Sequence, residues 1–406
     1  MVALSSFLGR CDSRLETIRL VNLFSRGTTL KLHSILHTNR SVRESFLVSC
    51  TIATIMVLLS FLTCAAGLLP YPYEKSGSYF VRARYISIPL DAENTAGQAV
   101  LQGKLYYPSL NDPQPDTTST VYFPPDTSNA PYPVLVFHPG ANTNLEQYTW
   151  LYEHISSYGY IVISFNEMGG GPGASDNNLE NLIMSFSLGF PNPTVSDILK
   201  FLNKANTAEN FPNNFLLQGM IDTSRFVIGG HSFGGAVALF SGLQSFYQPE
   251  GLLKAVFTYG VHLFSSTEPI TLFDANIDVP LLDMAGTRAG VGDGKDTTGA
   301  ERTEAERVKL TFEQAIPEGN NYSYLLLVRN ANHTNFTNSA DPTVDRSFQE
   351  QQHCQNPLVL PNKKAHRIFK NYIVAFLKTY VEDNSEAKSI LEKASNDWNV
   401  KDFEIK

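Results

Sequence analysis

The chain has 406 residues, of which 43% are hydrophobic and 17% charged, so collagen-like repeats, coiled coil and wholesale disorder are excluded. Its 31 basic and 39 acidic side chains give a formal net charge of −8, and we therefore expect no nucleic-acid partner. Four cysteines are too few for a disulfide-rich scaffold.

The N-terminal part divides into a basic leader, residues 1–45, and an uncharged apolar segment, residues 46–69. A helix over this segment would be long enough to cross a hydrocarbon core of about 30 Å. Arg40 and Arg43 precede it, and positive charge favours the cytosolic side of a membrane. We therefore predict a single-pass membrane anchor, with the rest of the chain lumenal or extracellular.

Cleavage and secretion are the alternative to anchoring. Small residues end at Gly67 and form a candidate signal-peptidase site, and translation from Met56 would leave a leader of ordinary length. Either topology makes the rest of the chain a candidate glycoprotein. The acceptor triplets begin at Asn321, Asn332 and Asn335.

The remainder alternates strand and helix patterns, which predicts one α/β domain over residues 79–381 with a charged, peripheral tail, 382–406. A hairpin opens the domain, and short apolar runs bounded by Gly and Pro then indicate strands buried on both faces of a mostly parallel sheet. Amphipathic helices are expected on both faces of that sheet. The hairpin strands are 79–90 and 99–107, the apolar runs are 134–137, 160–165, 226–229, 255–259, 280–284 and 324–328, and the clearest helices are 301–316 and 368–380.

One motif carries chemistry: Gly230-His-Ser232-Phe-Gly234 stands between an apolar strand and a helix-forming run. In this context a G-x-S-x-G sequence is typical of a nucleophile elbow, in which a strained turn lifts the serine hydroxyl clear of the sheet. We therefore predict that Ser232 is a nucleophile.

A serine nucleophile needs a base, and in this arrangement the chain order is serine, acid, histidine. His333 follows the last apolar run in the sequence Asn330-Ala-Asn-His-Thr-Asn-Phe336, where a loop would bring its imidazole to the serine. His353 and His366 are the rival candidates, in a polar loop and at the start of the terminal helix. We predict His333 as the base.

Two backbone amides should stabilise the oxyanion. The amide of Phe233, directly after the nucleophile, is one prediction. The loop after the run 134–137 should supply the other, from Ala141 or else from Gly140.

The segments HPGANTN, GGHSFGGA, LLDMAGTRAGV and NANHTNF, in this order, resemble the α/β-hydrolase group that contains platelet-activating-factor acetylhydrolases, chlorophyllases and cutinase-like polyester hydrolases. The resemblance covers roughly residues 80–380. It implies an α/β-hydrolase fold with esterase or lipase activity on a small-molecule or lipid ester, and chemistry without a metal or an organic cofactor. It does not identify the ester.

The resemblance also implies an aspartate after the run 280–284, but the chain has Ala289 in that place. Either the acid has moved, with Asp293 as the prediction and Asp283 as the alternative, or the triad is incomplete. An incomplete triad would make the domain a non-catalytic binding protein. The primary hypothesis is a serine hydrolase of carboxylic esters that acts through an acyl-enzyme on Ser232.

Overall fold

The structure, a computed structural model, describes residues 71–89, 100–111, 114–115, 121–140, 143–165, 193–207, 217–242, 252–262, 277, 279–290, 293–295, 300–316, 322–338 and 359–406. The leader 1–45 and the segment 46–69 lie outside these ranges. Within them, no helix is both long enough and apolar enough to cross a membrane.

Residues 70–406 form one compact unit, built on a nine-stranded, mostly parallel sheet of the α/β class. The spatial order of the strands is β1-β2-β4-β3-β5-β6-β7-β8-β9, and the six from β3 to β8 run parallel. Their bounds are Phe80–Pro89 (β1), Val100–Ser109 (β2), Tyr132–His138 (β3), Ile161–Phe165 (β4), Ile221–His231 (β5), Leu253–Tyr259 (β6), Leu281–Gly286 (β7), Tyr324–Val328 (β8) and Val400–Ile405 (β9).

Helices cover both faces of the sheet, as the sequence pattern predicted. Alternate residues of β3 show this. Val134 and Val136 belong to the buried cluster that includes residues of α2, α3 and α4, whereas Leu135 and Phe137 belong to the cluster on the other face, which includes residues of α1 and α5. The helices are Thr149–Ser156 (α1), Pro193–Thr207 (α2), Ser232–Ser241 (α3), Glu304–Ala315 (α4), Asn362–Val381 (α5) and Ser385–Glu392 (α6).

The predicted hairpin and the six buried strands are confirmed. β1 and β2 pair antiparallel along their whole length, from Phe80 opposite Ser109 to Pro89 opposite Val100. The carboxyl ends of β3 to β8 meet at one edge of the sheet because these strands are parallel. That edge therefore receives the loops that carry Gly140, Ser232 and His333.

Residues 382–406 differ from the prediction of a peripheral tail. They form α6 and β9, and β9 pairs antiparallel with β8 as an edge of the main sheet. Charges on β9 suggested a solvated tail, but charged residues are common on edge strands, where they oppose further pairing. Lys309 of α4 binds Asp402 and Glu404 of β9, and this pairing holds the strand against the helix.

The buried carboxylate of Asp397 joins this C-terminal part to the beginning of the domain. Its Oδ2 accepts hydrogen bonds from Tyr71 at 2.6 Å and from Tyr372 of α5 at 2.8 Å, and its Oδ1 accepts from the amide of Asn399. Residues from both ends of the compact unit thus share one acceptor. The domain therefore extends to residue 406.

Candidate active site

Ser232 stands at the junction of β5 and α3, with a backbone φ of +54°. A non-glycine residue seldom adopts this left-handed conformation, which marks a strained turn and often a functional one. Gly234 permits the close packing of the turn, because a Cβ there would lie 2.2 Å from the carbonyl oxygen of Pro139. The predicted turn is present, and it lies against the loop that follows β3.

His333 begins a short 3₁₀ helix, His333–Phe336, shortly after β8 ends. The turn is fixed by a capping box in which Asn332 and Asn335 bind each other's backbone amides, and the hydroxyl of Tyr259 donates to the carbonyl of Asn332 at 2.7 Å. His333 as a whole residue is 6% exposed. A buried and rigidly held histidine therefore stands at the carboxyl edge of the sheet.

The same capping box bears on the predicted glycosylation. Asn332 and Asn335 are 1% and 2% exposed, and a glycan on either side chain is incompatible with these contacts. The third triplet, at Asn321, begins outside the described residues.

The carboxylate that contacts His333 belongs to Glu304. Its Oε1 lies 2.8 Å from Nδ1 of His333, and the glutamate is fully buried. Glu304 is the first residue of α4, after the N-cap Thr303, and the positive end of a helix dipole stabilises a carboxylate there. Burial lowers the pKa of the nearby Arg307, and attraction to Glu304 and Asp293 opposes this effect.

Asp293, the predicted acid, has another partner. Its Oδ1 accepts a hydrogen bond from the backbone amide of Glu304 at 2.7 Å, so it anchors the first turn of α4 rather than contacting the imidazole. The contact predicted for Asp293 is therefore made by Glu304: Asp293 lies at the start of α4, and the first residue of that helix contacts His333. Glu304 stands between Ser232 and His333 in the sequence, which is the chain order expected for a serine, an acid and a histidine.

Asp283, the alternative acid, lies inside β7. It is fully buried, and Thr258 on the neighbouring strand β6 donates to its Oδ1 at 2.6 Å. Burial raises the pKa of Asp283 to about 8, although hydrogen bonds from Thr258 and the amide of Met284 oppose the increase. The carboxyl group of Asp283 is thus bound to Thr258 inside the sheet, and the group that contacts Nδ1 of His333 is Glu304.

Of the two rival histidines, the structure describes His366 alone. His366 on α5 stacks on Trp150 with ring centroids 4.1 Å apart, and burial lowers its pKa to about 4, whereas His353 lies outside the described residues. Phe233 follows Ser232 at the start of α3, as required of an oxyanion donor. Ala141 lies outside the described residues. The amide of Gly140 donates to the hydroxyl of Tyr148 at 2.9 Å, which commits that amide to another acceptor.

Gly260 is a part of the site that the sequence did not indicate. It follows β6 with a φ of +66°, and a Cβ there would lie 2.7 Å from Nδ1 of His333 and 3.0 Å from Oε1 of Glu304. The backbone at Gly260 thus packs directly against the His333–Glu304 pair.

Substitution Gly260→Ala is therefore expected to reduce the reactivity of Ser232 about 10- to 100-fold, because the added methyl group displaces the imidazole or the carboxylate. Gly219→Ala is the matched control: its φ is +69°, but a Cβ there meets nothing within 4 Å. Both variants bear the backbone cost of about 1 kcal/mol. Second-order rates of fluorophosphonate labelling and unfolding midpoints of both variants provide the comparison, and equal labelling rates would contradict the prediction.

The chain matches no known protein-family model and no curated protein sequence.

Proposed function

We propose that the chain is a serine hydrolase of carboxylic esters with an α/β-hydrolase fold, in which Ser232 is the nucleophile, His333 the general base and Glu304 the acid. The observation that carries the proposal is the buried Glu304–His333 pair, 2.8 Å apart, at the sheet edge where Ser232 is held at a φ of +54°. A histidine oriented by a carboxylate near a serine on a strained strand-to-helix turn is the constellation that activates a hydroxyl.

The proposed reaction has two half-reactions. Ser232 Oγ attacks the ester carbonyl while His333 Nε2 takes its proton, and Glu304, bound to Nδ1, stabilises the imidazolium that forms. The imidazolium then protonates the leaving alcohol, which yields an acyl-enzyme. Water, deprotonated by the same imidazole, attacks the acyl-enzyme, and the imidazolium returns the proton to Ser232 Oγ as the carboxylic acid is released.

The oxyanion requires two donors that are already in place. The amide of Phe233 at the start of α3 is one, assisted by the positive end of the helix dipole. The second is assigned to Ala141, because the neighbouring amide of Gly140 is bound to Tyr148.

The same proposal includes the location of the enzyme. Residues 46–69 would anchor it in the membrane, with this domain outside the cytosol. The alternative is that the domain is released after cleavage.

The proposal is tested by fluorophosphonate labelling of the full-length chain extracted in mild detergent. We expect covalent labelling of the wild type, and its loss in Ser232→Ala and in His333→Ala. Ser241→Ala is the matched control, because this buried serine lies at the other end of α3 and its hydroxyl donates to the carbonyl of Val237 in the same helix. A folded wild type that does not label would contradict the proposal and favour a non-catalytic binding domain.

If the wild type is labelled, p-nitrophenyl esters of increasing acyl length then identify the substrate class. Turnover that is lost in Ser232→Ala is the criterion for an ester as substrate. This series distinguishes a short-chain esterase from a lipase.

A further inference from the structure

A chain of buried hydrogen bonds links the three segments of the candidate active site. The amide of Gly140 donates to Oη of Tyr148 at 2.9 Å, and Oη lies 2.9 Å from Nδ1 of His231. Nε2 of His231 lies 3.1 Å from the carbonyl oxygen of His333. Tyr148 and His231 are 0% and 2% exposed, so water does not compete strongly for these contacts.

The chemistry of the groups fixes the direction of this chain. A carbonyl oxygen can only accept, so Nε2 of His231 carries the proton and donates to His333. In a neutral imidazole Nδ1 is then an acceptor and receives the hydroxyl proton of Tyr148, whose oxygen accepts a hydrogen bond from the amide of Gly140. The arrangement requires a neutral His231. Burial, and repulsion from His333, hold the pKa of His231 well below its usual value.

Both ends of this hydrogen-bond chain, and His231 within it, lie in segments that the proposed reaction uses. Gly140 belongs to the loop expected to supply the second oxyanion donor, His231 directly precedes the nucleophile, and His333 is the proposed base. The loop also lies directly on the elbow: a Cβ on Gly140 would be 3.1 Å from Nδ1 of His231 and 3.2 Å from Cβ of Ser232. Thr143 secures the same loop, since its Oγ1 donates to the carbonyl of Gly140 at 2.5 Å.

We propose that Tyr148 and His231 are positioning residues, which hold the oxyanion loop and the His333 backbone in register with Ser232 through this hydrogen-bond chain. The inference rests on the proposed function. By binding the Gly140 amide, Tyr148 fixes the Pro139–Gly140 peptide, which packs against the turn that carries Ser232. Positioning of this kind acts on the transition state, because oxyanion donors gain most when the negative charge develops.

The test is Tyr148→Phe, which removes only the hydroxyl. The ring packing with Phe137, at a centroid distance of 5.0 Å, is available to phenylalanine as well. Tyr152→Phe is the matched control: Tyr152 is equally buried, lies in the adjoining helix α1, and its hydroxyl has a buried partner of its own in Ser164 at 2.7 Å. Both substitutions thus delete one buried hydroxyl, but only the first interrupts the chain.

For the full-length protein in detergent, with p-nitrophenyl butyrate as substrate, we expect Tyr148→Phe to lower kcat about 10- to 100-fold with KM changed less than about threefold. Tyr152→Phe should keep kcat within about twofold, with a similar loss of thermal stability. The affinity of a phenylboronic acid, whose adduct on Ser232 resembles the tetrahedral intermediate, should fall in parallel with kcat in Tyr148→Phe alone.

Equal kcat values for the two variants would overturn the positioning role while leaving the proposed function intact. A wild type without turnover that depends on Ser232 would instead overturn the proposed function, and this inference with it. If Tyr148→Phe does not fold, Thr143→Val at a half-buried position tests the same loop. It should lower kcat about 3- to 10-fold, and an unchanged kcat would again overturn the role.

Discussion

Substitution Glu304→Gln is expected to lower kcat for ester hydrolysis about 10⁴-fold, the loss that follows when a triad acid becomes an amide. The carboxylate at 2.8 Å from Nδ1 of His333 orients the imidazole and stabilises its cation, whereas an amide lacks the charge. Gln has nearly the same shape, so the packing around this fully buried position should be kept. Steady-state kinetics and an unfolding midpoint for Glu304→Gln check both parts of the expectation.

Asp293→Asn is the matched control for this prediction. Asparagine retains the Oδ1 that accepts the amide of Glu304, so the start of α4 keeps its anchor, and we expect kcat within about threefold of the wild type. The opposite ranking, with Asp293→Asn severely impaired and Glu304→Gln active, would assign the acid to Asp293. Nearly normal kcat in both variants would mean that the serine does not depend on either carboxylate.

The sequence predicted Ser232 and His333 because each depends on local signals. Ser232 lies in a short motif between a strand and a helix, and His333 follows a buried strand at the distance of a loop. The proposed acid, Glu304, has no such signal. Glu304 reaches His333 through the placement of α4 against the sheet, and no local pattern distinguishes it from Glu306 of the same helix. Ala289 showed that the aspartate implied by the resemblance is missing from its usual place, but it did not indicate which other residue contacts His333.

Other parts of the site depended on contacts between distant residues. His231 occupies the variable position of the G-x-S-x-G motif, and only the packing of the loop after β3 brings Tyr148 to it. In the sequence, Gly260 resembles several other glycines that follow a strand. In the structure, the His333–Glu304 pair packs against it. The edge strand β9 was not predicted because its sequence is charged. Lys309 of α4 pairs with two of these charges, Asp402 and Glu404. Tertiary contacts therefore gave these residues roles that local patterns did not indicate.

We also expect a large effect of pH on the stability of the domain, and its source is the buried carboxyl group of Asp283. Because burial raises its pKa to about 8, the folded domain keeps this carboxyl protonated over a range in which the unfolded chain, with a pKa near 3.8, has released the proton. Between these pH values the folded state binds more protons, so the free energy of unfolding falls as the pH rises. The slope is about 1.4 kcal/mol per pH unit, or about 4 kcal/mol between pH 5 and pH 8.

The Asp283→Asn variant cannot titrate at this position, and it should therefore lose this slope. The difference in unfolding free energy between variant and wild type, measured by guanidinium denaturation of residues 70–406, is expected to move in favour of the variant by about 4 kcal/mol from pH 5 to pH 8. Asp222→Asn provides the control. Hydrogen bonds from Ser224 and Arg225 outweigh the effect of burial and lower the pKa of Asp222. This carboxylate is therefore ionised in the folded and the unfolded state from pH 5 to pH 8. A flat difference for Asp283→Asn would mean that the carboxylate is ionised inside the sheet, where only a cation or further donors could stabilise it.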